Sequence, residues 1–184
     1  MVVVTARASD KRLCSLLQGS CKNALSILVI DADAAALHGN GPDLVYLAPH
    51  SFMKLNCENA IFIVRDTGCL PETADCANAV AIVDSSNKPV MELVASRHLK
   101  ALTCGLSNSD TFTLSSLTRD SAVISLRRQV TAFDGTLIEP FELPVSFSSP
   151  IEPFTLLACA AVFCMLGRKN PMAHAMQLEL RQQK

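Results

Sequence analysis

The sequence predicts an α/β fold: an open, mostly parallel sheet flanked by helices, extended by an antiparallel β-ribbon. Three observations predict it. Through roughly the first hundred residues, short apolar runs alternate with helical or polar segments. These runs are apolar on both faces, as in parallel strands covered by helices. Beyond residue 110 the pattern changes to alternation of polar and apolar residues around a hairpin turn, as in antiparallel strands.

In chain order, "VVVTA" (2–6) is the first strand, and a helix follows from Ser9 or Asp10. "LSILVID" (25–31) is the second strand, with a helix expected from Asp33. "DLVYLAP" (43–49), "AIFIVRD" (60–66) and "AVAIVD" (79–84) read as further strands. After them "SSNKPVMELVASRH" offers a capping residue, an early proline and apolar Val90, Leu93 and Val94, so a helix is expected from Ser85 or Ser86. "LKALTCG" (99–105) completes the parallel set, whose members need crossover connections.

"TFTLSSL" (111–117), "SAVISLRRQV" (121–130) and "TLIEPFELPVSF" (136–147) form the ribbon. Ala122, Ile124 and Leu126 share one face, while Val123, Ser125 and Arg127 share the other. Asp134-Gly135 is a hairpin signal. Phe141, Leu143, Val145 and Phe147 alternate with Glu142, Pro144 and Ser146, and the proline marks an edge strand. Two helices close the chain. The first, Ile151–Leu166, is apolar all round from Phe154 onward and stopped by Gly167; the other follows Asn170-Pro171, with Met172, Ala175, Met176 and Leu180 facing inward. The organisation expected is one domain over 1–184: a sheet core (1–110), the ribbon (111–148) and C-terminal helices (149–184).

A hydrophobic fraction of 49% suffices for a sizeable core. A net charge of −1, with charges of both signs interspersed, excludes the electrostatic footprint of a nucleic-acid or anionic-membrane binder. One Tyr and no Trp argue against a base-stacking surface. Most of the eight cysteines lie in apolar runs, and no C-x-x-C pair occurs, so reduced thiols are expected. No signal-peptide pattern is visible, and the apolar run 154–166 is too short to span a bilayer. A cytoplasmic location without membrane attachment is expected.

The order of these pieces resembles the central, ATP-binding domain of the Mur ligase family, over roughly residues 1 to 168. "VVVTARASDKRLCSLL" stands where that family has a strand, a phosphate loop and a helix. "ILVIDADAAALHGNGPDLVYLAP" resembles its segment of strand, acidic motif, short helix and second strand opened by a Pro-Asp pair, here Pro42-Asp43. "AVAIVDSSNKPVMELVAS", "ALTCGLSNSDTFTLSSL" and "FDGTLIEPFELPVSF" resemble the later strand–turn–helix, the strand ending in Gly, and the end of the ribbon. The resemblance implies a P-loop NTPase-like, Rossmann-like three-layer domain, with ATP and Mg²⁺ as cofactors of a retained site and ATP-dependent amide ligation as the ancestral activity.

The departures bear on function. The family's first loop reads Gly-x-x-Gly-Lys-Thr/Ser, but residues 6–12 contain no glycine, and Ser9 and Lys11 stand in the wrong order. Without glycines, Cβ atoms sit where backbone must approach phosphate. Asp31 replaces the Glu that helps bind Mg²⁺ in the family, and Asp33 follows it. "APHSFM", with His50, matches the family's His motif loosely; the modified lysine has no counterpart in 54–66, and "SPIEPF" replaces the late His-Asn pair. The family's flanking domains have no room in 184 residues.

Candidate cofactor contacts are therefore Ser9, Lys11, Asp31 and Asp33, with Asp31 the candidate metal ligand, and no catalytic residue is assigned. Helix capping competes for Asp31 and Asp33, and solvation for Lys11 and Arg12. His38, His50 and His98 lack metal-ligand spacing, and Ser115, Ser116 and Cys104 have no local base. The expectation is a non-catalytic Mur-ligase-like protein, a pseudoenzyme or scaffold related to peptidoglycan metabolism, with no cofactor. A nucleotide or small-ligand binding module, or a ligase subunit completed by another chain, stays open. The ribbon, with Phe133, Phe141 and Phe147, is the expected contact for a second copy or a protein partner.

Overall fold

A computed structural model describes residues 1–7, 10–21, 26–31, 35–38, 43–48 and 54–167, with the backbone alone for 21, 31, 35–38 and 48. The expected final helix lies outside these residues, as do Ser9, Asp33 and His50.

The sheet grows from β1 (Val2–Thr5), whose four residues are all buried. Parallel to it on one side lies β4 (Leu44–Ala48), then β2 (Ile27–Asp31); on the other lie β5 (Lys54–Val64), β6 (Thr73–Asp84) and β7 (Lys100–Cys104). β8 (Phe112–Leu117) continues parallel to β7, and β9 (Ser121–Leu126) and β12 (Phe141–Ser146) add antiparallel strands. With β3 (Ala35–His38) at the far edge, the sheet has ten strands among the described residues, seven of them joined by parallel pairings. β10 (Val130–Thr131) and β11 (Leu137–Ile138) form a separate hairpin, turned by Asp134-Gly135 with Gly135 at φ 84°.

One segment departs from expectation. The helix anticipated from Asp33 is absent, and Ala35–His38 instead forms β3, antiparallel to β2 with Ile27 opposite His38. Alanine is a strong helix former, but propensity is a weak determinant over so short a segment, and pairing with the β2 edge overrides it. β5 and β6 also begin earlier than the apolar runs suggest: polar residues 54–59 and 73–78 pair with one another, while β1 reaches only 60–62 and β7 only 80–84.

Alternating side chains feed two cores. Val2 and Val4 of β1, Ile61 and Ile63 of β5, and Val80 and Ile82 of β6 face α1 (Lys11–Cys21) and α3 (Pro153–Met165). Val3, Phe62, Val64, Ala81 and Val83 face α2 (Lys88–Ser96), which buries Val90 and Val94 against them. The result is three layers.

α2 starts at Lys88, two to three residues later than the expected Ser85 or Ser86, because the cap is Asn87, whose side chain accepts from the Val90 N–H at 3.4 Å ahead of a proline in the first turn. α3 buries every residue from Phe154 to Met165, so its uniform apolarity reflects a helix enclosed on all sides. Each large apolar side chain there contributes roughly 1.5–3 kcal/mol on burial. Gly167, at φ 65°, ends it, and a Cβ there would collide with Asp134. The ribbon's inner face packs on this helix layer: Leu143, Val145 and Phe147 are buried, and Phe133 and Phe141 pack against the same core. Glu142, Pro144 and Ser146 point outward from the edge strand β12.

Candidate functional site

In an open parallel sheet, ligands bind outside the C-terminal ends of the strands, where helix N-termini converge. Here that rim is the end of β1, β5, β6 and β7. At the end of β1, Asp10 precedes α1, and its carbonyl accepts the first helical bond from the Cys14 N–H at 3.4 Å. Its carboxylate therefore stands at a helix N-terminus, where partial positive charge favours an anion. A phosphate loop places its phosphate in the same kind of position; here the chain supplies its own carboxylate.

Arg65, one residue beyond β5, holds that carboxylate. Its Nε donates to Asp10 Oδ2 at 2.5 Å, and its Nη2 lies 3.4 Å from Oδ1. The same guanidinium reaches the start of α3. Nη1 donates to Glu152 Oε1 at 3.0 Å, Nη2 donates to the Thr155 hydroxyl at 2.7 Å, and the Phe154 ring lies beneath it with its centroid 4.6 Å away. Thr155 in turn donates to Glu152 Oε2 at 2.7 Å. One cation thus faces two carboxylates, a hydroxyl and an aromatic face, which uses most of the donors a guanidinium has.

The electrostatics follow from this packing. Asp10's side chain is 6% exposed and that of Arg65 24%, so the pair is screened little by solvent. Burial works to lower Arg65's pKa, but hydrogen bonds and charge from Glu152 and Asp10 outweigh it and raise the value, fixing the guanidinium as a cation. Burial likewise opposes charge on Glu152, yet Arg65, Thr155 and nearby Arg12 hold its carboxyl below the ordinary range. A second pair, Arg7 with Asp66, joins the same two loops at a more exposed position. The rim between β1 and β5 is thereby crossed twice by internal ion pairs.

Further along the rim, Asn87 at the start of α2 donates through Nδ2 to the Arg65 carbonyl at 3.0 Å, and Asp84 accepts from the Ser86 N–H and hydroxyl. Gly105, after β7, sits against the Asp110 carboxylate and the Ser85 hydroxyl, where a Cβ would collide with both. Burial pushes the Cys104 thiol well above its ordinary pKa, which removes it from consideration as a nucleophile. Among the described residues, no group of three His, Cys, Asp or Glu side chains could hold a metal ion.

Of the residues the sequence singled out, Lys11 is the first residue of α1 and exposed, and Asp31 is the last residue of β2, paired with Ala48. Ser9 and Asp33 lie outside the described residues. The residues that do converge, Asp10, Arg65, Glu152 and Thr155, were not singled out. A signal existed: "VVVTAR" and "AIFIVRD" both end an apolar run on an arginine at the rim, and "SPIEPFT" places a carboxylate and hydroxyl at a helix start. Their separations of 55 to 90 residues hide the pairing.

No family model matches the sequence, and no curated protein matches it. Solved structures do match. A UDP-N-acetylmuramoyl-L-alanyl-D-glutamate–2,6-diaminopimelate ligase superposes with a TM-score of 0.53 at 11% identity, over 94% of this chain and 44% of that one. A UDP-N-acetylmuramate:L-alanyl-gamma-D-glutamyl-meso-diaminopimelate ligase from Neisseria meningitides gives 0.53 at 9%, over 96% and 65%. MurF from Acinetobacter baumannii gives 0.52 at 11%, over 96% and 45%. The chain therefore spans between 44% and 65% of the length of these ligases. No helix among the described residues is long and apolar enough to cross a membrane. Over nearly its whole length, the chain carries the fold of the Mur ligases.

Proposed function

We propose that this chain is a cytoplasmic, non-catalytic Mur-ligase-like domain, a scaffold related to peptidoglycan metabolism, with a phosphate position occupied by its own side chains. One observation carries the reading: the Asp10 carboxylate sits at the N-terminus of α1, clamped by Arg65. An entering phosphate would have to displace a buried carboxylate and compete with Asp10 and Glu152 for the guanidinium, an exchange that leaves desolvated charge unpaired. The glycine-free loop supports the same reading from the sequence. As a scaffold, the domain would meet a second copy through the 111–147 ribbon, where Leu117 and Leu137 are exposed.

Thermal denaturation with and without millimolar MgATP tests the proposal, with UDP-sugar precursors as a second ligand series. A ligand at 100 times its Kd raises stability by about 2.7 kcal/mol, an easily measured shift. No shift with MgATP is expected. A clear rise with MgATP would overturn the reading in favour of a nucleotide-binding module or ligase subunit; a rise with the UDP-sugar alone would identify a small-ligand binder.

A further inference from the structure

Beyond the rim, the polar halves of β5 and β6 run on as a two-stranded extension, and within it two cysteines meet. Cys57 and Cys76 are direct register partners on these adjacent parallel strands. Their sulfurs lie 3.6 Å apart, close enough for one thiol to donate to the other. Both are half-buried and so keep part of their surface open to a small oxidant. Neighbouring strands lie about 4.8 Å apart, which is within the Cα separation a disulfide tolerates.

We propose that Cys57 and Cys76 form an oxidant-responsive disulfide that staples β5 to β6. Both are free thiols in the reduced protein. The oxidant is of the disulfide class, such as oxidised glutathione. Exchange starts from the thiolate of either cysteine of the pair. That thiolate attacks one glutathione sulfur, the glutathione S–S bond breaks, and one glutathione thiolate leaves and takes a proton. The second cysteine then loses its proton to solvent and attacks the protein sulfur of the mixed disulfide. The second glutathione leaves as a thiol. Two protein thiols are oxidised and one glutathione disulfide is reduced.

The other cysteines make useful contrasts. Cys104, Cys159 and Cys164 are buried in the core, and Cys69 donates to Asp66 at 3.4 Å. The bond would covalently fix the only part of the sheet that, among the described residues, rests on a single strand pair. Two paired strands without further neighbours are marginal on their own, so this is where a covalent link changes local opening most.

The full chain is incubated with oxidised glutathione, quenched with N-ethylmaleimide, and mapped by peptide mass spectrometry. The expected product is a Cys57–Cys76 peptide pair lighter by two hydrogens, with neither thiol alkylated, and slower amide exchange at 54–59 and 73–78. Cys57→Ser and Cys76→Ser should each abolish it, and Cys69→Ser should leave it intact. A link to Cys69, stable glutathione adducts alone, or full alkylation of both thiols after oxidation would overturn the proposal.

Discussion

Replacing Arg65 with Met keeps much of the side chain's apolar bulk and removes its charge. The substitution leaves the Asp10 carboxylate, 6% exposed, without its cation, and deprives Glu152 and Thr155 of their shared partner. Breaking a buried ion pair by deleting one partner costs about 3–5 kcal/mol. Arg65 is itself 24% exposed, and Glu152 at 47% turns to water, so the lower end applies, about 3 kcal/mol. In a chain of this size that lowers Tm by about 6–12 °C. Urea denaturation and calorimetry of the wild type, Arg65→Met, Asp10→Asn and the double variant give the coupling energy directly. Arg7→Met is the internal control: its pair with Asp66 is 60% and 36% exposed and should contribute under about 1 kcal/mol. Equal, small losses for Arg65→Met and Arg7→Met, with no coupling to Asp10, would refute the reasoning.

Gly105→Ala should destabilise the fold by about 1–3 kcal/mol in the same denaturation assay, because its Cβ meets Asp110 and Ser85, and a neutral outcome would show that this loop yields. Because Glu152's folded pKa is lowered by Arg65 and Thr155 despite burial, its contribution is full above the ordinary value of 4.5 and is lost as pH falls through the lower folded value; Glu152→Gln should flatten that acid limb of the stability profile, and an unchanged limb would count against the assignment. Sedimentation of the wild type should show self-association that Leu117→Asp with Leu137→Asp abolishes, whereas a monomeric wild type at every concentration would remove the ribbon contact.

The parallel strands were legible because burial on two faces leaves continuous apolar runs, as in "VVVTA" and "AVAIVD". α2 and α3 were legible because Asn87, Pro89 and Gly167 punctuate them. β3 was not, since four residues of "AALH" carry no period and only the neighbouring edge decides their state. The extensions of β5 and β6 were hidden for a related reason: "KLNCEN" and "TADCAN" are mostly polar and largely exposed, with Leu55 the one buried side chain, so pairing decides that they are strands. The absence of glycine from residues 6–12 was plain in the sequence. The cluster at the start of α1 was not, because the partners of Arg65 come from positions 10, 152 and 155, and nothing local in any of the three segments announces the others.

Arg65 also stands where the starts of the three described helices meet: α1 through Asp10, α3 through Glu152 and Thr155, and α2 through the bond from Asn87 to its carbonyl. During synthesis the α1 and α2 segments emerge long before residue 152. Until α3 arrives, the Arg65 head would have Asp10 alone, and the cradle for the most apolar of the described helices would lie open. Completion is thus tied to the last described helix. Local fraying at any one helix start strips contacts from the other two, so amide exchange in the first turns of α1, α2 and α3 should share a single opening free energy instead of three independent ones.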